Sequence, residues 1–368
     1  MINKVIISGG GTGGHIFPAI AIANEIRKRN PSAAILFIGA LGKMEMEKVP
    51  QAGYEIEGLK IVGFKRSFAL SNFLLPFKLI ESLWKARRLI KSFQPELVIG
   101  VGGYASGPTL KMASWLKIPT VIQEQNSFPG KTNLLLAKKA SLICTAYPNM
   151  EVFFPKDKII VTGNPVRTET VDLLNKNEEG LQFYGLEKNK KTILIVGGSL
   201  GARTLNEAVR FSLGEINKHD DVQVLWQCGN LYFKVLEEEL SLPSNVKMLR
   251  FIERMDLAYA AADVIVSRAG ATSISELSII GKPTILIPSP NVSEDHQTKN
   301  AMVLVNNAAA LLVKDAVAKE SLFKHIVDLL NSSETMGQLS MNIKKMGMPN
   351  ATVEIVNACQ ELVSKSIR

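Results

Sequence analysis

Twice along this chain a short apolar strand runs into a cluster of glycines that opens a helix. The first instance is Gly9-Gly10-Gly11-Thr12-Gly13-Gly14-His15 after the strand Lys4–Ser8, and the second is Gly197-Gly198-Ser199-Leu200-Gly201-Ala202-Arg203 after Thr192–Val196. Strand, glycine turn and helix together begin a parallel βαβ unit, and a second copy far down the chain predicts two Rossmann-like halves. The intervening pattern agrees. A helix from about Gly14 to Arg29 and a strand at Ile35–Ile38 lead into further strand and helix pairs up to Tyr147. After the restart, strands are expected at Val222–Trp226, Val246–Phe251, Asp263–Ser267 and Pro283–Pro288. Short β-branched runs separated by helices of several turns indicate α/β domains with doubly wound parallel sheets. The expected division is 1–164 and 165–340, with the junction near Gly163-Asn164-Pro165. A length of 368 residues accommodates two such domains.

Composition narrows the setting. Apolar residues make up 46% of the chain and charged residues 21%, which suits two well-buried globular domains. The formal net charge of +9 suits nucleic acid, an anionic membrane surface or a phosphorylated substrate, and charge alone does not choose among them. Three widely spaced cysteines, Cys144, Cys228 and Cys359, argue against a disulfide framework and for a reducing compartment, and none has metal-site spacing. The amino terminus lacks the apolar core of a signal peptide. No uncharged apolar run reaches the roughly 18 residues of a spanning helix.

A glycine loop followed by a helix presents backbone N–H groups and the positive end of the helix dipole to an anion. Gly9-x-Gly11-x-x-Gly14 also satisfies the dinucleotide fingerprint, but that reading calls for an acidic residue at the end of the second strand, where Phe37-Ile38-Gly39-Ala40 stands. An oxidoreductase is disfavoured for that reason. His15 follows the loop and is expected to project into a cleft between the halves as an acceptor for a hydroxyl proton. The alternative is a helix-capping histidine. A third glycine stretch, Gly102-Gly103-Tyr104-Ala105-Ser106-Gly107-Pro108, follows the strand Leu97–Val101, and ligands in open α/β sheets bind beyond the carboxyl ends of the strands.

In the second half, Ser267-Arg268-Ala269-Gly270-Ala271-Thr272-Ser273-Ile274-Ser275-Glu276 passes from strand to helix. Glu276 could accept both hydroxyls of a ribose, or simply balance the helix dipole. Gln297 has an amide suited to sugar hydroxyls, or to solvent.

The motifs GGGTGGH, GGYASGP, QEQN, GNPVR, GGSLGAR, SRAGATSISE and DHQTKNA occur in the order and spacing of the MurG family of N-acetylglucosaminyltransferases, which this chain resembles over essentially its whole length. The resemblance implies a two-domain GT-B hexosyltransferase that moves N-acetylglucosamine from UDP-N-acetylglucosamine to lipid I, forming lipid II, with the helical segment 341–368 packing back on the first half. It further implies that Thr12, Gly13 and Gly14 meet the donor near its sugar and phosphate, that Asn126 reaches the N-acetylglucosamine, and that Arg167 and Ser199 bind diphosphate. The Ile252 main chain would read uracil, Ala271, Thr272, Ser273, Ile274, Ser275 and Glu276 would surround diphosphate and ribose, and Gln297 would contact a sugar hydroxyl. Two departures stand out: many relatives have histidine at the position of Gln123, and some have a second glutamine where Thr298 stands. Catalysis would be a single in-line displacement by the acceptor C4 hydroxyl, with His15 as candidate base and Glu124 and Tyr104 as weaker candidates. The absence of any Asp-x-Asp triplet argues for a reaction without a metal, and no other cofactor is expected.

Between Gly63 and Ser92, apolar residues recur at helical spacing among Lys65, Arg66, Lys78, Lys85, Arg87, Arg88 and Lys91. Apolar insertion with a basic rim is the recipe for reversible attachment to anionic lipid. Phe68, Phe73, Leu74, Leu75, Phe77, Trp84 and Trp115 are the expected membrane residues, whereas Ile80 and Leu83 are expected to pack on the sheet. The expected setting is the cytoplasmic face of a bacterial membrane. Nucleic acid is not an expected partner; cell-wall synthesis or division proteins are candidates.

Overall fold

The computed structural model describes residues 1–61 and 75–366. The chain divides into two units, one formed by Met1–Val166 with Met348–Arg368 and the other by Arg167–Gly347.

The first unit is built on β1 (Lys4–Ser8), β2 (Ala34–Ala40), β3 (Glu55–Leu59), β4 (Leu97–Gly100), β5 (Thr120–Glu124), β6 (Leu142–Thr145) and β7 (Ile159–Val161). They form one sheet in the order β3-β2-β1-β4-β5-β6-β7, every described pairing parallel. β1 is central, with Ile6 opposite both Leu36 and Val98. Its residues Val5, Ile6 and Ile7 are fully buried because helices cover both faces, and that is why the strand reads as an unbroken apolar run. The helix Gly13–Arg29 lays Ile16, Ala19, Ile22, Ala23 and Ile26 on the sheet at the spacing of one helical face. The strand order reverses between β1 and β4, so the loops that leave these two strands diverge at their carboxyl ends and open a crevice there.

The second unit repeats the plan with β8 (Lys191–Val196), β9 (Val222–Gln227), β10 (Val246–Leu249), β11 (Val264–Ser267), β12 (Thr284–Leu286) and β13 (Leu311–Leu312), in the order β10-β9-β8-β11-β12-β13. The switch point here lies between β8 and β11, which places the second glycine loop beside the Arg268-Ala269-Gly270 turn.

The last segment is not one helix over 341–368. Residues 341–345 close the helix Ser333–Lys345 in the second unit, and a separate helix, Ala351–Ser366, belongs to the first. Pro349 disfavours helical backbone at Met348, and a side chain on Gly347 would meet the Ser278 carbonyl oxygen at 2.7 Å, so the chain turns here. The final helix buries Ile355, Val356, Cys359 and Val363 in the core of the first unit. Arg29 fastens it, donating to Asn357 Oδ1 at 2.8 Å, Gln360 Oε1 at 3.0 Å and the Val353 carbonyl at 3.2 Å.

Of the residues expected to face lipid, Phe68, Phe73 and Leu74 lie outside the described residues, and Leu75 opens the helix Leu75–Phe93. On that helix Phe77 and Trp84 are 71% and 67% exposed, and Trp115, on the helix Ser106–Trp115, is 75% exposed. Ile80 departs from expectation: it is 53% exposed rather than packed on the sheet. The face that packs runs through Ser82, Ala86 and Ile90, whose spacing of four residues keeps them on one stripe, and at 100° per residue Ile80 falls far from it. Leu83 flanks the stripe and packs against the core.

Candidate active site

Each unit gathers its candidate residues at its own switch point. In the first, the loop after β1 lies backbone to backbone against the loop after β4. Gly10 N–H donates to the Gly102 carbonyl at 3.3 Å, and a methyl group on Gly103 would sit 2.3 Å from the Gly10 carbonyl oxygen. With its φ at +83°, Gly103 is held where both its conformation and its neighbour forbid a side chain. The His15 ring lies over the same loop, so that a methyl group on Gly102 would be 2.8 Å from its Cδ2. Thr12 Oγ1 stands 3.1 Å from His15 Nδ1 and orients the imidazole. Tyr104 is exposed on the third glycine loop, and Gly13 and Gly14 form the first turn of the helix that carries His15.

Glu124, the last residue of β5, is buried, and the chain itself supplies its hydrogen-bond donors. Its Oε1 accepts from the Asn126 backbone N–H at 3.0 Å and from Asn126 Nδ2 at 3.2 Å. Its Oε2 accepts from Gly130 N–H at 3.1 Å and from Asn133 Nδ2 at 2.7 Å. Four donors on a buried carboxylate make it the scaffold of the 124–133 loop and the group that aims Asn126. Gln123 is fully buried as well. It donates to Asn164 Oδ1 at 2.9 Å and accepts from Gln125, which also donates to the Val101 carbonyl at 2.7 Å. That amide network ties the Gln123-Glu124-Gln125-Asn126 segment to the loop after β4.

One residue that shapes this loop escapes the sequence reading. Glu45, in the first turn of the helix Glu45–Gln51, is buried, and its carboxylate accepts from the Gly11 N–H at 2.8 Å and the Ala40 N–H at 3.0 Å. The second strand ends at Ala40 without an acidic residue, as expected, but the fold brings a carboxylate to that end from elsewhere. It stands five residues beyond Ala40 in sequence and is folded back on the loop. It takes the Gly11 amide that a dinucleotide's pyrophosphate would need, which adds to the case against a nicotinamide cofactor. An acidic residue opening the helix after β2 is the signal that could have revealed it.

In the second unit the loop Gly197–Arg203 opens the helix Arg203–Ile216. Gly201, at φ +85°, lets the loop press against the next turn, where a methyl group would lie 2.1 Å from the Cys228 carbonyl oxygen. Asn206 braces that turn from below by donating to the same carbonyl at 2.9 Å while accepting from Trp226 Nε1 at 3.1 Å. Ser199 sits at the exposed crest and accepts from Asn230 N–H through its carbonyl at 3.3 Å.

The helix Ala271–Ile280 starts at the Gly270 turn. Ala271, Thr272, Ser273 and Ser275 are half-buried along its first turns, whereas the Ile274 side chain lies in the core and its N–H is taken by the Gly270 carbonyl at 2.9 Å. Glu276 is buried on this helix and accepts from the Tyr259 hydroxyl at 3.1 Å. Burial raises its pKa above the ordinary carboxylate value, against the lowering pull of the Arg167 guanidinium and the tyrosine hydrogen bond. Ile252 is buried in the same core. Gln297, at the start of the helix His296–Asn306, accepts from the Ser289 N–H at 2.8 Å through its side-chain oxygen.

These two halves match known sequences. Residues 5–145 match the glycosyltransferase family 28 N-terminal domain and residues 192–355 match the glycosyltransferase family 28 C-terminal domain. The chain belongs to glycosyltransferase family 28. Among curated relatives, a protein of Flavobacterium psychrophilum named UDP-N-acetylglucosamine--N-acetylmuramyl-(pentapeptide) pyrophosphoryl-undecaprenol N-acetylglucosamine transferase is 55% identical, the match covering 98% of each chain. A protein of the same name from Bacteroides fragilis is 50% identical over 99% of this chain and 96% of its own. Among solved structures, MurG of Acinetobacter baumannii superimposes with a TM-score of 0.79 at 28% identity, covering 98% of this chain and 99% of that one. UDP-GlcNAc 2-epimerase from Neisseria meningitidis, at 16% identity and a TM-score of 0.66 over 98% of this chain and 100% of that one, shares the fold. The family 28 chain is thus a glycosyltransferase with two Rossmann-like domains of the GT-B type.

Proposed function

We propose that this glycosyltransferase carries N-acetylglucosamine from UDP-N-acetylglucosamine to the C4 hydroxyl of lipid I, inverting the anomeric carbon and forming lipid II for peptidoglycan. The observation that carries this reading is the end-to-end match, 55% identical over 98% of the chain, to an enzyme named for that transfer. The second unit takes the donor. Amides of the Ser199 loop and the Arg167 guanidinium face the diphosphate, Glu276 accepts from the ribose hydroxyls, and the Ile252 main chain reads uracil. Gln297 and the turns from Ala271 to Ser275 complete the sugar and phosphate contacts. Thr12, Gly13, Gly14 and Asn126 of the first unit meet the transferred sugar.

In the reaction the acceptor oxygen bonds to the sugar's anomeric carbon as the bond to the β-phosphate oxygen breaks. His15 takes the hydroxyl proton, a role worth on the order of 10²- to 10⁴-fold in rate. Charge grows on the departing diphosphate, and preorganised N–H donors stabilise it more than they stabilise the intact donor. No helix among the described residues is long and apolar enough to cross a membrane. We place the enzyme at the cytoplasmic face, held to anionic lipid by the exposed Phe77, Trp84 and Trp115 among basic residues, where a lipid-linked acceptor is met.

The test is transfer of radiolabel from UDP-N-acetylglucosamine to a short-chain lipid I analogue, with diacylglycerol offered in parallel. Labelled disaccharide product from the lipid I analogue alone is expected. Transfer to diacylglycerol instead, or to neither acceptor, overturns the assignment.

A further inference from the structure

Tyr259 sits on the helix Met255–Ala261, one helix removed from any residue expected to touch substrate. Its ring is packed in the core of the second unit together with Leu257, Ala258, Ile274 and Leu277. A buried phenol must place its hydroxyl on an acceptor, and this one places it on Glu276 Oε2 at 3.1 Å. With one carboxylate oxygen tied, the plane of the carboxylate is set, and Oε1 is the oxygen turned from the phenol.

We infer that Tyr259 is a positioning residue for the donor's ribose, its hydroxyl aiming the Glu276 carboxylate at the ribose hydroxyls. The inference rests on the proposed reading of Glu276 as the ribose acceptor. Three groups govern the carboxylate: burial disfavours its charge, while the Arg167 guanidinium and the Tyr259 hydroxyl favour it. Burial also keeps the Tyr259 hydroxyl protonated, its pKa pushed well above the ordinary tyrosine value, so it acts only as donor toward the carboxylate. Because the hydroxyl never reaches the nucleotide, its effect travels through Glu276 alone. Deleting it should therefore weaken ligands that carry the ribose hydroxyls and leave an analogue lacking both of them untouched.

The experiment is calorimetric binding of UDP and of 2′,3′-dideoxyuridine diphosphate to the full-length protein and to Tyr259→Phe, which keeps the ring and removes one oxygen. Wild type should prefer UDP. In the variant, UDP should bind about tenfold more weakly, the size of one hydrogen bond to a charged group, while the dideoxy ligand is unchanged and the preference narrows. An unchanged preference in Tyr259→Phe overturns the positioning role and leaves the ribose reading intact. Equal weakening of both ligands also overturns it, since that is what a merely structural residue would do. No preference in wild type removes the ribose reading of Glu276, and the inference with it. Should Tyr259→Phe fail to fold around an unpaired buried carboxylate, the double variant Tyr259→Phe/Glu276→Gln removes that charge. Its preference must equal that of Glu276→Gln alone, and any further narrowing shows a route other than Glu276 and overturns the inference.

Discussion

The two glycine loops look alike as sequence and differ in what stands behind them. The first is backed by a buried carboxylate: Glu45 holds the Gly11 amide and lies so close that a methyl group on Gly10 would be 2.2 Å from it. The second is backed by neutral groups, the Asn206 amide and the Cys228 carbonyl, and opens a helix whose first turn carries Arg203 and no acidic residue. A negative charge behind a phosphate loop repels what the loop would bind, whereas a neutral brace leaves the helix dipole and amides in command. The contrast fits the proposal that the second loop meets the diphosphate while the first holds Thr12 and His15 in place.

Two substitutions test that contrast, in falling order of effect. Glu45→Ala strips the acceptor from two amides, Gly11 and Ala40, each costing about 1–3 kcal/mol if left unpaired. Turnover should fall on the order of a hundredfold in steady-state assays while calorimetry shows UDP affinity nearly unchanged. A parallel loss of UDP affinity would mean that the first loop binds phosphate after all, and the contrast would break. Gly201→Ala should do the reverse. It forces a side chain into φ +85° and against the Cys228 carbonyl, a strain of about 1–3 kcal/mol, so UDP affinity should drop roughly tenfold and the melting temperature should fall. Full UDP affinity in this variant would remove the second loop from the donor site.

The smallest effect is a pH dependence. Burial raises the Glu276 pKa in the folded protein above the roughly 4.3 of an unfolded glutamate. Since the protonated form is the one favoured by the folded environment, its contribution to stability is present below the unfolded pKa and is lost as pH rises through the folded value. Ribose binding has the opposite sign, because only the ionised carboxylate accepts from both hydroxyls. UDP affinity should therefore weaken on acidification at a higher pH than an exposed glutamate would dictate. Subtracting the profile of Glu276→Gln removes the titration of the phosphates themselves. Identical profiles for the two proteins would detach Glu276 from the nucleotide.

Much of the fold was legible because parallel strands covered on both faces must be apolar throughout and glycine turns must follow them. β1, β8 and both loops could be found from those signals alone. The helix Leu75–Phe93 was legible only in part. Aromatic residues at helical spacing marked Phe77 and Trp84, but the face that packs uses Ser82 and Ala86, small residues that carry no hydrophobic signal, and so Ile80 was misplaced. Gln123 and Gln125 read as a polar strand end, and their mutual network with Asn164 joins residues about forty positions apart, which no local pattern encodes.

By itself the amino-acid order determined the two-domain α/β plan, the places where loops open helices, and the family, since each depends on residues adjacent in the chain. Tertiary structure alone decided what those loops can hold. Whether an amide meets a ligand or is already taken depends on side chains delivered from other elements, Glu45 to the first loop, Asn206 to the second and Tyr259 to Glu276. Such delivery is a matter of distance in space, and separation along the chain does not report it.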